Sequence, residues 1–168
     1  VLGNALKIAS VQDDEVLALV HHLGCPVLLT WASMDLLDYS HPLAFGCAGG
    51  LAGVHSNRIL QAADLIIFLG TRLDLLTTGF NPDNYGKNAR RFVIECDPAE
   101  RLKYAHNAGF EAVALDVRSA VRALSASPKL NPGTLIAWLT TCRDWQLENQ
   151  EAEDREFANA KLTTYHIA

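Results

Sequence analysis

The chain has 168 residues, 49% of them hydrophobic and 20% charged, with a formal net charge of -5. That length fits one domain of ordinary size, and the apolar share is enough for a core. The acidic balance excludes a partner gripped by clustered Lys and Arg, so no nucleic acid is expected, although one nucleotide could still find a local site.

No uninterrupted apolar stretch approaches the ~20 residues needed to span a bilayer, so no membrane is expected. No basic region, apolar run and small-residue cleavage site open the chain. Cys25, Cys47, Cys96 and Cys142 form no C-x-x-C pair. They are expected to be buried free thiols in a reducing, cytoplasmic setting.

Val1-Leu2 reads as a strand running into a tight turn at Gly3-Asn4. Because these residues look like the middle of a strand, an upstream segment is expected. Asp13 to Leu23 places Val16, Leu17, Leu19, Val20 and Leu23 at helical spacing. Its first turn is acidic, opposing the helix dipole, and Gly24 suits the stop. Pro26-Val27-Leu28-Leu29 reads as a short buried strand. Residues 32–53 read as a long glycine-rich connection with a helical turn near Met34-Leu37, and loops of that length tend to be functional. Ser56 to Ala63 is expected to be helical. The unbroken run Leu65-Ile66-Ile67-Phe68-Leu69, closed by Gly70, suits a parallel strand covered on both faces. Arg91 to Asp97 is the next strand, and Pro98 opens a helix at its first position. Glu111 to Leu115 is a last strand, ending at Asp116, and Val117 to Leu124 is a helix. Ser125 to Gly133 is a linker by composition. A further helix carries Leu135, Ile136, Trp138, Leu139, Cys142 and Trp145, and the acidic stretch Glu148 to Glu156 is expected to be a mobile or partner-dependent connector.

Strands alternating with helices predict an α/β fold, a doubly wound parallel sheet of about six strands with helices on both faces. Ligands in such sheets bind at the carboxyl ends of the strands, where the winding reverses. Asn4, Thr30, Thr71-Arg72, Asp97 and Asp116 all follow strand segments. Gly46-Cys47-Ala48-Gly49-Gly50-Leu51-Ala52-Gly53, before a helix, could let a backbone approach a phosphate; it could equally pack against neighbouring loops. Arg72 could grip a phosphate by two parallel bonds, or be held by Asp74 in an internal pair. Glu95, Asp97 and Asp116 could accept from ribose hydroxyls, whereas Asp97 and Asp116 also stand where helix caps are wanted. The histidines show no metal-ligand spacing, and the tryptophans read as core or interface anchors. Nothing makes a convincing catalytic centre.

Pro26 to Trp31, Met34 to Leu37, His41-Pro42-Leu43, the glycines at 46, 49 and 53, Ser56-Asn57, Ala63 to Asp74, Thr78-Gly79, Asn81 and Glu95 to Glu100 together resemble the middle domain of thiamine-diphosphate enzymes, acetolactate-synthase-like in particular. The resemblance covers roughly residues 1–125. Residues 126–168 resemble the linker helix and connector toward a following cofactor domain, with Tyr165-His166-Ile167 similar to the entry into it.

The resemblance implies a Rossmann-like sheet of order 3-2-1-4-5-6. It also implies a non-catalytic domain whose parent binds thiamine diphosphate and magnesium on its other domains, adds the thiamine ylid to a 2-keto acid, and forms a homo-oligomer. No Gly-Asp-Gly segment, which would hold the diphosphate, occurs here. Positions matching the family's FAD contacts are Gly3, Thr30, Gly70, Arg72, Asp74, Glu95 and Asp116. Asn4 and Ala5 stand where FAD-binding members continue a glycine triplet, and their side chains would crowd a pyrophosphate. FAD, ADP and no ligand all remain open. A free-standing FAD- or ADP-binding accessory or sensor module is the alternative reading.

Overall fold

The computed structural model describes residues 1–50, 52–105 and 109–159. Among the described residues five strands are parallel throughout: β1 (Val27–Leu29) pairs with β2 (Ala44–Cys47), and β3 (Leu65–Leu69) pairs with β4 (Arg90–Ile94), which pairs with β5 (Phe110–Val113). The segment before them runs between the two ladders. Leu2 is bridged in parallel to Leu29 on one side and to Leu69 on the other. Its N–H donates to the Leu28 carbonyl at 2.9 Å, and the Gly3 N–H donates to that of Leu69 at 2.9 Å.

Alternation along the strands separates two apolar layers, because successive side chains in a strand point to opposite faces. Leu2, Val27, Leu29 and Leu69 pack with Leu6, Val16, Leu19, Val20, Val117, Ala120 and Val121, which lie on α1 (Ala5–Ile8), α2 (Asp13–Leu23) and α5 (Val117–Ser125). Leu28, Ile66, Phe68 and Val93 pack instead with Ile59 and Leu60 of α3 (Val54–Ala62), Tyr104 of α4 (Pro98–Ala105) and Cys142 of α6 (Pro132–Asn159). Helices thus cover both faces of the strands. The capping box on α2, formed by Gln12 and Glu15, and the left-handed Gly24 at its end account for its limits.

Two expectations are corrected, the strandless connection over 32–53 and the burial of all four cysteines. The connection over 32–53 holds a strand, β2, which alternation did not reveal because Ala44-Phe45-Gly46-Cys47 is short and lies between loops. A 3₁₀ turn spans Trp31–Leu36. The stretch 148–156, expected as a mobile or partner-dependent connector, continues α6 without a break. All four cysteines are free, but Cys96 is exposed and only Cys142 is fully buried. Tyr165 to Ile167 lie outside the described residues. No described helix is long and apolar enough to cross a membrane.

Candidate functional site

A crevice of about 960 Å³ opens beyond the carboxyl ends of β1, β2 and β3. Its volume lies at the upper end of what small-molecule sites enclose. Of the residues singled out in the sequence, Thr30, Gly70, Arg72, Asp74 and Glu95 line it, whereas Gly3 and Asp116 are not among its lining residues.

The local reason differs at each. Gly3 is a packing glycine: a Cβ there would stand 2.6 Å from the Gly70 carbonyl carbon and 2.7 Å from Thr71 Cα. Gly70 needs its φ of +70° to turn the chain out of β3. The Thr30 hydroxyl meets Ser33 Oγ at 2.9 Å, and Ser33 Oγ donates to the Leu2 carbonyl at 2.8 Å, so both hydroxyls fasten the turn to the central segment. Arg72 does not pair with Asp74. Its guanidinium reaches Glu100 of α4 at 3.5 Å, while Asp74 Oδ1 accepts from the Thr77 N–H at 2.7 Å. Glu95 accepts from the Asp97 N–H at 2.8 Å. Asp116 caps α5, its Oδ1 accepting from the Ser119 N–H at 2.9 Å; these Ser119 bonds hold its carboxyl below the usual carboxylate range. Asp97 accepts from the Ala99 N–H at 2.8 Å, the other capping position read from the sequence.

The glycine-rich loop is tied to protein on both sides. Asn57 holds Gly49 twice, its Oδ1 accepting from the Gly49 N–H and its Nδ2 donating to the Gly49 carbonyl, each at 2.9 Å. The Gly50 N–H donates to the Leu76 carbonyl at 2.9 Å. A Cβ on Gly49 would stand 2.6 Å from the Thr77 carbonyl oxygen. The glycines therefore serve close loop-to-loop packing, and the N–H groups of Gly49 and Gly50 are already engaged.

Several wall residues carried no sequence signal. His55 is 7% exposed, and its Nε2 lies 3.2 Å from Ser56 Oγ. Ser56 Oγ donates to the Phe45 carbonyl at 2.6 Å, so its proton is engaged and His55 must donate from Nε2. That leaves Nδ1 as a buried acceptor with no hydrogen-bond partner among the described residues. Burial holds the imidazole below its ordinary pKa, opposed by the Glu153 carboxylate. Trp31, expected as a core or interface anchor, is 70% exposed and lines the crevice with Met34 and Tyr39. Glu153 of α6 also reaches the wall. Sequence separation hides it: α6 comes alongside α3 by packing Cys142, Trp138, Leu139 and Trp145 on the core that holds Ile59 and Leu60, with Arg58 stacked 4.2 Å over Trp145 and bonded to Glu148 at 2.9 Å.

A central sheet segment flanked by parallel strands, with a crevice at the strand ends and two helical layers, matches a known domain type. The family model described as "Thiamine pyrophosphate enzyme, central domain" matches residues 1–124. The chain belongs to that family. The probable acetolactate synthase large subunit of Methanococcus aeolicus is 31% identical over 100 residues, 60% of this chain and 16% of the relative. The acetolactate synthase large subunit of Cyanidium caldarium is 26% identical over 146 residues, 84% of this chain and 24% of the relative. The sulfoacetaldehyde acetyltransferase of Castellaniella defragrans is 34% identical over 86 residues, 50% of this chain and 14% of the relative. The aligned part of this chain thus spans at most about a quarter of the length of these relatives.

The described residues of this central domain do not suit a magnesium-bound diphosphate. Hard divalent cations need several converging oxygen ligands, and no described group of three or more His, Cys, Asp or Glu could hold a metal. A flavin or adenine diphosphate fits poorly as well. The turn after the central segment carries Asn4 and Ala5 into the crevice, and α1 beyond it has only four residues, too short to offer a phosphate a strong dipole.

Proposed function

We propose that this central domain is a structural, nucleotide-binding-type unit of a thiamine-diphosphate-dependent, acetolactate-synthase-like 2-keto-acid decarboxylase, not catalytic by itself. The observation that carries the reading is a strand-end crevice of the expected placement whose polar groups are engaged in holding the fold. Thr30, Asp74 and Glu95 all bond to neighbouring protein groups. Thiamine diphosphate, which supplies an electron sink for the carbanion left by decarboxylation, and its magnesium would be held by other domains of the parent, a cytoplasmic homo-oligomer.

In this reading the two ladders are one sheet of order 3-2-1-4-5-6, with Val1 to Gly3 as strand one and the winding reversing there. Residues 1–125 form the domain proper, and 126–168 lead toward the cofactor domain. The acetolactate synthase relatives and the family match support that assignment.

The test is direct. The purified chain is incubated with pyruvate, thiamine diphosphate and magnesium, and keto-acid consumption is followed. No turnover above a protein-free control is expected. Steady consumption by the 168-residue chain would place catalysis within it and refute the proposal.

A further inference from the structure

The charge on the crevice wall runs against the ligand its fold suggests. Among the described lining residues, Arg72 is the one cationic side chain, against the carboxylates of Asp74, Glu95 and Glu153: one positive and three negative charges, a net of -2. Arg72 is further occupied, since its guanidinium leans on Glu100, and its side chain is 71% exposed. A diphosphate entering here would meet more repulsion than attraction.

The carboxylates that carry this charge are also acceptors: Asp74 takes a bond from the Thr77 N–H and Glu95 one from the Asp97 N–H, which leaves acceptor capacity on each. A phosphate, which at neutral pH offers only acceptors and negative charge, cannot donate to them; a hydroxyl or an amine N–H can. The same wall carries the apolar and aromatic side chains of Trp31, Met34, Tyr39 and Leu76, all more than half exposed. Aromatic faces and flat apolar groups take up ring systems, and the negative face of the ring also tolerates positive charge.

We propose that the crevice selects a ring-bearing ligand whose polar edge donates hydrogen bonds and that carries no phosphate, and that it discriminates against nucleotide diphosphates. The inference stands on the crevice, not on the parent's chemistry. It would survive unexpected keto-acid turnover by the isolated chain, and its own failure would leave the structural role intact.

The experiment is a charge series on the whole chain. Adenosine, AMP, ADP and FAD are titrated at low ionic strength by calorimetry. The ring and ribose stay constant from adenosine to ADP while the charge grows. Affinity is expected to fall from adenosine to ADP. Glu95→Gln and Glu153→Gln are each expected to tighten ADP about two- to fivefold, the scale of a partly exposed charge interaction, and to leave adenosine unchanged.

A second measurement needs no ligand. The Trp31 contribution to fluorescence, isolated by difference with Trp31→Phe, is quenched with caesium and with iodide. Caesium is expected to quench it more, and the two Gln variants to narrow the gap. ADP binding more tightly than adenosine overturns the proposal. So does no detectable adenosine binding at millimolar concentration, or stronger quenching of Trp31 by iodide.

Discussion

Replacing Gly3 by alanine probes the point where the two ladders meet. The residue's φ lies outside the left-handed region, so alanine can adopt its backbone conformation and would, on chain entropy alone, stabilise by about 0.4–1 kcal/mol. Sterics decide otherwise. The new Cβ would stand 2.6 Å from the Gly70 carbonyl carbon and 2.7 Å from Thr71 Cα, both main-chain atoms that cannot swing away as a side chain would. Relief requires moving Val1–Gly3 off Gly70, which strains the bonds of Leu2 to Leu28 and of Gly3 to Leu69, each 2.9 Å. Overpacking of this kind costs about 1–3 kcal/mol, and backbone collision puts Gly3→Ala near the top of that range. For a domain of this size that is a loss of about 6–12 °C in Tm. Thermal unfolding followed by far-UV circular dichroism, with urea melts as a cross-check, reads it. Gly133→Ala serves as control: it sits in the first turn of α6, its new Cβ would meet nothing closer than Asn131 Oδ1 at 3.4 Å, and it should be neutral or stabilising. A Gly3→Ala protein as stable as the parent would refute the close approach of the two backbones.

Three further outcomes follow from named contacts. Asn57→Ala removes both bonds to Gly49 and should cost about 1–3 kcal/mol, with faster hydrogen exchange at the Gly49 amide than at amides in β3; unchanged exchange there would discount the clamp. Asp116→Ala removes the α5 cap on Ser119 and should lower the urea midpoint at neutral pH, whereas Asp116→Asn, which keeps an acceptor, should lower it less. Burial depresses the His55 pKa, so the unfolded chain binds a proton there that the folded chain refuses. Stability therefore holds above the ordinary histidine value of about 6.5 and falls as pH drops below it toward the lower folded value. His55→Phe should flatten that limb of the stability–pH curve, and an unchanged slope would contradict the buried neutral imidazole.

How much was legible depends on whether the signal was local. The run Leu65 to Leu69 announces β3 because a strand covered on both faces must be apolar at every position but its edges. Asp97 and Asp116 announce themselves as caps because the bond is made within three residues. β2 stayed hidden: four residues, one of them Gly46 at φ +79°, carry too little periodicity to stand out from a loop. The Arg72 pair was misplaced for a similar reason. Sequence nearness favoured Asp74, but Asp74 turns to cap the Thr77 N–H, and α4 brings Glu100 across. Glu153 and His55 share a wall only because α6 folds back on α3, a contact spanning about ninety residues between Arg58 and Glu148 that no local pattern encodes.

The same distinction explains why a nucleotide-type fold need not carry a nucleotide. A doubly wound sheet leaves a crevice at its strand ends whatever the sequence, because the crossovers diverge there. Whether a phosphate is held depends on a few local choices: small residues after the central segment, a helix long enough to aim its dipole, and uncommitted donors and cations. In this chain each choice goes the other way. Asn4 and Ala5 fill the turn, α1 ends after four residues, the Gly49 and Gly50 amides bond to Asn57 and Leu76, and Arg72 faces Glu100. The architecture survives these changes because the core beneath it, from Leu2, Leu29 and Leu69 to Phe45, Phe68 and Val93, does not depend on what the crevice holds. Ligand chemistry at the rim can therefore drift, toward the acceptor-rich wall seen here, while the domain keeps its architecture.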